Sequence, residues 1–170
     1  FSNFETEFEK IINRDYFSKS LHAHRKKAFS KLKKIGFPTS KWENWQFTNL
    51  NPITNSNFNL SDLEDAPKNI SNFDSYNLNN IKTIVIYNGH YQKTLSNIPE
   101  GLQILNGLEY LNKKNGKFES IDYSPFDLLN TAFTDCSINL VIDNNKEIKE
   151  PIRILFISDG DKSIMINPRL

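Results

Sequence analysis

Hydrophobic spacing along this chain shifts from helical to alternating, and that shift constrains the fold more than any other feature. Phe4, Phe8, Ile11 and Ile12 recur at helical spacing, with Glu5, Glu7 and Glu9 placed early, where acids complement a helix N-terminus. A second helix is predicted over about Ser18 to Lys34. Its apolar stripe is Leu21, Ala28, Leu32 and Ile35, and Phe17 and His24 extend the same face. Gly36 is a natural left-handed stop, and Pro38 beyond it forbids continuation. The two segments read as a helical hairpin or a packed pair. Ser40 with Glu43 three residues on predicts a cap for a further short helical turn.

Asn51 to Asn80 is rich in Asn, Ser, Asp and Pro and reads as a long irregular connection. From Ile81 to Tyr87 the chain is β-branched, and Asn88-Gly89 is the strongest hairpin-turn dipeptide, so His90 to Leu95 is expected to return as the partner strand. Leu102 to Leu105 reads as a strand and Gly107 to Lys114 as a short helix. Ser124-Pro125-Phe126-Asp127 opens another helix, with Phe126, Leu129 and Phe133 as its buried face. Ile138, Leu140 and Ile142 alternate up to a turn at Asp143-Asn144-Asn145. Pro151 to Ile157 suits a strand buried on both faces, and Ser163 to Ile166 a short strand ending before Pro168. The fold class is α+β, and no internal repeat is visible.

Composition closes several functional classes. With 13 Phe, 6 Tyr and 2 Trp in 170 residues, the chain has the bulk for a core without metal or disulfide support. Net charge is +1, which gives no long-range field toward nucleic acid or membrane. One cysteine, Cys136, excludes an internal disulfide and fits a reducing compartment, so a cytoplasmic location is expected. No apolar run approaches the ~20 residues that span a bilayer. The start lacks Met and a secretory layout, so the chain reads as a piece of a longer protein.

No chemical constellation stands out. Cys136 as a nucleophile needs a base and an electropositive surround, and it reads instead as a small residue at an element boundary. His22 and His24, two apart on a helix, point to different faces and do not form a chelating pair. The basic run from Arg25 to Lys34 reads as a solvated helix face, with binding of an acidic partner or nucleic acid as the alternative. Trp42 and Trp45 read as staples of a turn onto the core. No catalytic, cofactor-binding or metal-ligating residue is nominated.

The segment Gly36-Phe37-Pro38-Thr39-Ser40-Lys41-Trp42-Glu43-Asn44-Trp45-Gln46-Phe47-Thr48-Asn49-Leu50, read with Arg25 and Ala28, fits no general pattern of catalysis. It resembles the Arg-x-x-Ala … Gly-Leu-Pro-Thr-x-x-x-Glu-x-Trp-x-Tyr-Thr-x-Leu pattern of the SufD family of iron–sulfur cluster assembly proteins. Three further stretches resemble that family in order. They are Ile84 to Tyr91 with Leu95-Ser96 and Pro99-Glu100-Gly101, then Pro125 to Phe133, then Glu150 to Ser158. Phe37 stands where Leu is usual, Phe47 where Tyr is usual, and Cys136 where a small residue is common.

The resemblance implies a non-catalytic scaffold subunit that pairs with a SufB-like paralogue and a SufC-like ABC ATPase, in a bacterial cytoplasm or a plastid-type organelle. It also implies an N-terminal helical region with a small β hairpin leading into a right-handed parallel β-helix. On that expectation residues 1–50 are helical, 51–136 are a mixed connecting region and 137–170 begin a truncated β-helix. The cluster-assembly residues of the family are expected to lie beyond Leu170, so no cofactor is held by this stretch. Open strands near Ile152 to Ile166 are expected to be covered by self-association.

Overall fold

The computed structural model describes residues 1–15, 17–61, 75–76, 81–107, 124–159 and 163–170. The chain is α+β and divides into two compact units, one of residues Phe1–Leu60 and Leu111–Thr134, the other of Ser61–Tyr110 and Asp135–Leu170.

The first unit is helical. Helices α1 (Ser2–Ile12) and α2 (Lys19–Ile35) follow the predicted spacing, with α3 (Asn51–Thr54), a two-residue strand β1 (Asn59–Leu60) and α4 (Pro125–Phe133) completing it. Ser18 caps α2 by accepting the Leu21 N–H, and Ser124 caps α4 by accepting the Asp127 N–H. Polar side chains on one face of α1 hold the β1 segment: Asn3 Oδ1 accepts the Phe58 N–H at 2.9 Å and Glu7 Oε2 accepts the Leu60 N–H at 3.0 Å. The core is aromatic. Phe8 and Phe29 stack at 4.1 Å, and Phe133 meets Phe4, Phe8 and Phe29 edge-on. Gly36 ends α2 at φ +76°, but with an extended ψ of −179° rather than a left-handed helical one.

Two expectations for this unit fail. Ser40 does not cap a turn: the short 3-10 helix spans Glu43–Trp45, begins after Trp42 and has no side-chain cap. Successive turn hydrogen bonds take over the role of a cap, with the Trp42, Trp45 and Thr48 N–H groups donating to the Thr39, Trp42 and Trp45 carbonyls. Ile35 is exposed, and Phe29 rather than Ile35 extends the buried stripe of α2.

The second unit carries two small sheets. In one, β2 (Thr83–Tyr87) lies between β3 (His90–Tyr91) and β6 (Arg153–Ile157), antiparallel to the first and parallel to the second. In the other, β5 (Cys136–Ile142) lies between an antiparallel β4 (Leu102–Asn106) and a parallel β8 (Pro168–Arg169). A further two-residue strand, β7, is Ile164–Met165. Ile84, Ile86, Leu102 and Ile138 form one core, joined by Ile104, Ile152 and Ile154. Val85, Tyr87 and Ile157 form a second. The strand buried on both faces is therefore β2, not β6: every β2 residue is buried, whereas Phe156 is exposed. The sequence misleads there because, among the described residues, β6 lies at a sheet edge with β2 on one side only.

The Asn88-Gly89 turn forms as expected, with both residues at positive φ. Its return strand stops at Tyr91, and Lys93–Leu95 winds into a 3-10 turn instead. In β5 the alternation is real, but Leu140 and Ile142 stay exposed, since the core covers only the Ile138 end. The short strand expected over Ser163 to Ile166 is β7, and Pro168 after it opens β8. The connection expected to be irregular from Asn51 to Asn80 instead opens with α3 and β1, and residues 62–74 and 77–80 of it, with all but the first position of the helix expected from Gly107 to Lys114, fall outside the described residues. The sheets found are open and small, with no closed or solenoid sheet among the described residues.

Candidate functional site

The residues singled out by sequence go mainly to packing. Arg25 is the clearest case. The basic run around it predicts a solvated face, yet Arg25 is fully buried on α2. Its Nη2 donates to the Thr134 carbonyl at the end of α4, and its guanidinium lies over the Phe17 ring at 3.9 Å. The remaining basic run is surface, with Lys26, Lys27, Lys33 and Lys34 exposed, and Lys33 pairs with Glu5. That pair holds the Glu5 carboxyl below its ordinary value, through its hydrogen bond to Lys33 and the lysine charge.

Trp45 packs on Phe126 of α4 at 5.2 Å, and Phe37 on the same ring at 5.8 Å. Trp42, by contrast, is exposed, so only one tryptophan staples the turn. The Gly36–Leu50 segment and the Pro125–Phe133 helix thus interlock through these rings.

His22 Nε2 lies 3.3 Å from the Arg14 carbonyl, and His24 Nδ1 lies 3.0 Å from the Ser20 carbonyl. Each histidine is tied to backbone on its own. Burial pushes the His22 pKa down, and the nearby Arg25 charge adds to that shift. No group of three or more His, Cys, Asp or Glu that could hold a metal occurs among the described residues. A cavity of about 410 Å³ lies between α1 and α2, lined by Glu5, Phe8, Glu9, Lys26, Phe29, Ser30 and Lys33. Its walls carry both charge signs and the Lys33–Glu5 pair, which suits no single ligand charge.

The sequence reading missed a polar cluster in the second unit. Ser61, His90 and Asp135 are all buried. Ser61 Oγ donates to Asp135 Oδ2 at 3.1 Å and stands 3.3 Å from His90 Nε2. The residue types are those of a hydrolase triad, but the order is wrong. A triad needs the imidazole to take the hydroxyl proton while the carboxylate holds the imidazole. Here the hydroxyl lies against the carboxylate as well as the imidazole, and in the Nε2–H tautomer His90 donates to Ser61 Oγ. Ser61 bridges the other two side chains, and none of the three faces solvent. The arrangement satisfies buried polar groups.

The Asn88 amide does related work. Its Nδ2 donates to the Asp159 carbonyl at 2.8 Å, and its Oδ1 accepts the Asp159 N–H at 2.9 Å. One side chain so continues the β2–β6 ladder past the end of β2.

Cys136 is half-buried at the start of β5, and burial pushes its thiol up to about 11. Thiolate, the nucleophilic form, is then scarce at neutral pH. Alkylation by iodoacetamide at pH 7.5 is expected to run far slower on the folded chain than in denaturant; equal rates would contradict this burial. The folded value lies above the ordinary 9.0, so the thiol's contribution to stability is complete below pH 9 and is lost as pH rises toward 11. Unfolding followed across that window should show a steeper loss for the wild type than for Cys136→Ala.

These side chains lock elements of the fold together. No helix among the described residues is long and apolar enough to cross a membrane. A search of curated protein sequences found no match. The family model described as the SufBD protein N-terminal region matches residues 1–154, so the chain belongs to the SufBD family, whose members work in iron–sulfur cluster assembly.

Proposed function

We propose that this chain is the N-terminal region of a SufD-type scaffold subunit, one that holds a SufB-like paralogue and a SufC-like ABC ATPase in a SufBCD-type complex and performs no chemistry itself. The observation that carries this reading is the use made of the family's motifs. Arg25, Ala28, Phe37, Trp45, Phe126 and Asn88 are each spent on packing or on joining two elements. The SufD assignment, rather than SufB, rests on the motif pattern quoted above. In this reading no residue of the region ligates a cluster, and the protein works in a bacterial cytoplasm or a plastid-type organelle. Affinity capture of the full-length protein from its host, read by mass spectrometry, should recover both partners near stoichiometry. Recovery of neither would overturn the proposal.

The region is further proposed to lead into a right-handed parallel β-helix. The parallel β2–β6 and β5–β8 pairings support that reading, as does the open β6 edge with Phe156 exposed. Open edges of this kind template further pairing. The isolated chain should therefore self-associate through residues 152–166, seen as a concentration-dependent mass in analytical ultracentrifugation. A strict monomer at high concentration, with β6 protected from hydrogen exchange, would count against it.

A further inference from the structure

Phe47 is 93% exposed, although its backbone lies in a run of turns closed at 2.8 to 3.0 Å by the Trp42, Trp45 and Thr48 N–H groups. Trp42 is exposed in the same run, while Trp45 anchors it against Phe126. An aromatic ring held out on an ordered backbone gains nothing from its own fold. Burying it against a partner is worth about 1.5–3 kcal/mol, with little ordering entropy to offset the gain.

Charge identifies the partner. Residues 19–50 hold eight Lys and Arg against one acid, Glu43, in a chain whose net charge is only +1. Arg25 is buried and Lys33 is paired with Glu5. Lys27, Lys31 and Lys34 recur at i, i+4 and i+7, so they share one stripe of α2. Lys27 and Lys34 are exposed and Lys31 half-buried, and Lys41, exposed, sits beside Trp42. At 1.5 Å per residue the stripe runs about 10 Å, down to the helix end from which the aromatic turns depart.

We propose that the stripe carrying Lys27 and Lys34 and the Trp42–Phe47 turn form one docking surface for an acidic amphipathic helix of a partner protein. Two turns of a helix carrying carboxylates match the stripe, and an apolar residue of the same helix meets Phe47. A single-stranded nucleic acid would ask for a longer basic track with successive stacking rings. A membrane surface would ask for a broad apolar face. That the partner is a protein rests on the scaffold reading; the surface itself does not.

The test uses the chain and a fluorescein-labelled probe peptide of about 18 residues, five helical turns, built of Glu, Ala and Leu with Leu on one face. Fluorescence anisotropy should show saturable binding that weakens with added salt. Phe47→Ser, and separately the pair Lys27→Glu and Lys34→Glu, should each weaken it by at least about tenfold. Both variants alter exposed side chains, so unchanged unfolding midpoints confirm that the fold is intact. No saturable binding, or binding indifferent to Phe47→Ser, overturns the proposal. Equal or tighter binding of oligo(dT), or of vesicles one-third phosphatidylserine, also overturns it and assigns the face to nucleic acid or membrane. The probe is neither of the scaffold partners, so its outcome stays readable if affinity capture fails.

Discussion

Phe133→Ala is expected to cost about 3–5 kcal/mol of folding stability, a large share of the ~5–15 kcal/mol that a domain holds. Phe133 is fully buried on α4 and touches rings of both α1 and α2: Phe8 and Phe29 at 5.7 Å each and Phe4 at 6.3 Å. All three contacts are edge-to-face, at interplanar angles of 75°, 90° and 63°, the geometry in which each pair adds ~0.5–1.5 kcal/mol beyond its buried area. Phe8 and Phe29 are stacked on each other, so neither can swing into the space left behind without losing that contact. The cavity therefore stays open, which places the cost at the upper end of the range. Urea unfolding followed by tryptophan fluorescence suits the measurement, because Trp45 packs on Phe126 of the same helix. With a urea dependence of ~1–3 kcal/mol/M, the midpoint should fall by more than about 1 M. A shift under about 0.5 M would mean that α4 does not seat against α1 and α2 as described. Phe47→Ala is the control: the ring is exposed, and the midpoint should hold.

The helices were legible because burying one face of a helix forces apolar residues to recur every three or four positions. Phe4, Phe8 and Ile11, then Leu21, Ala28 and Leu32, are that signal, and Ser18 and Ser124 mark two of the helix starts. The strands were legible as segments but not as to their cover. Nothing in Pro151 to Ile157 says that β6 sits at an edge, since neighbours in a sheet are chosen by the rest of the chain. The same limit hid the Ser61–His90–Asp135 cluster, whose members stand 29 and 74 residues from Ser61. Polar residues that satisfy one another at such separations leave no local pattern. The family segment was legible as a motif, while its physical use, Trp45 and Phe37 closing on Phe126, appears only once α4 is in place.

Arg25 shows how a charge reading can mislead, and it carries the second large expected effect. By adjacency in the chain it belongs with Lys26 and Lys27, whose side chains face water. Its position on α2, however, is i+4 from Leu21 and i−4 from Phe29, both buried, so the helix turns it inward. Two features make that position tolerable. The Thr134 carbonyl at the end of α4 accepts from the guanidinium, where the helix carries partial negative charge, and the Phe17 ring faces the cation. Arg25→Ala removes both contacts, leaves a buried acceptor short of its donor and opens a cavity, for an expected loss of about 3–5 kcal/mol. Arg25→Lys keeps the charge but not the planar fork or its stacking, and should recover only part of that loss. Hydrogen exchange should show the C-terminal turn of α4 losing protection first. The result is decisive between the two placements, because a residue on a solvated basic face would change stability by no more than about 0.5 kcal/mol.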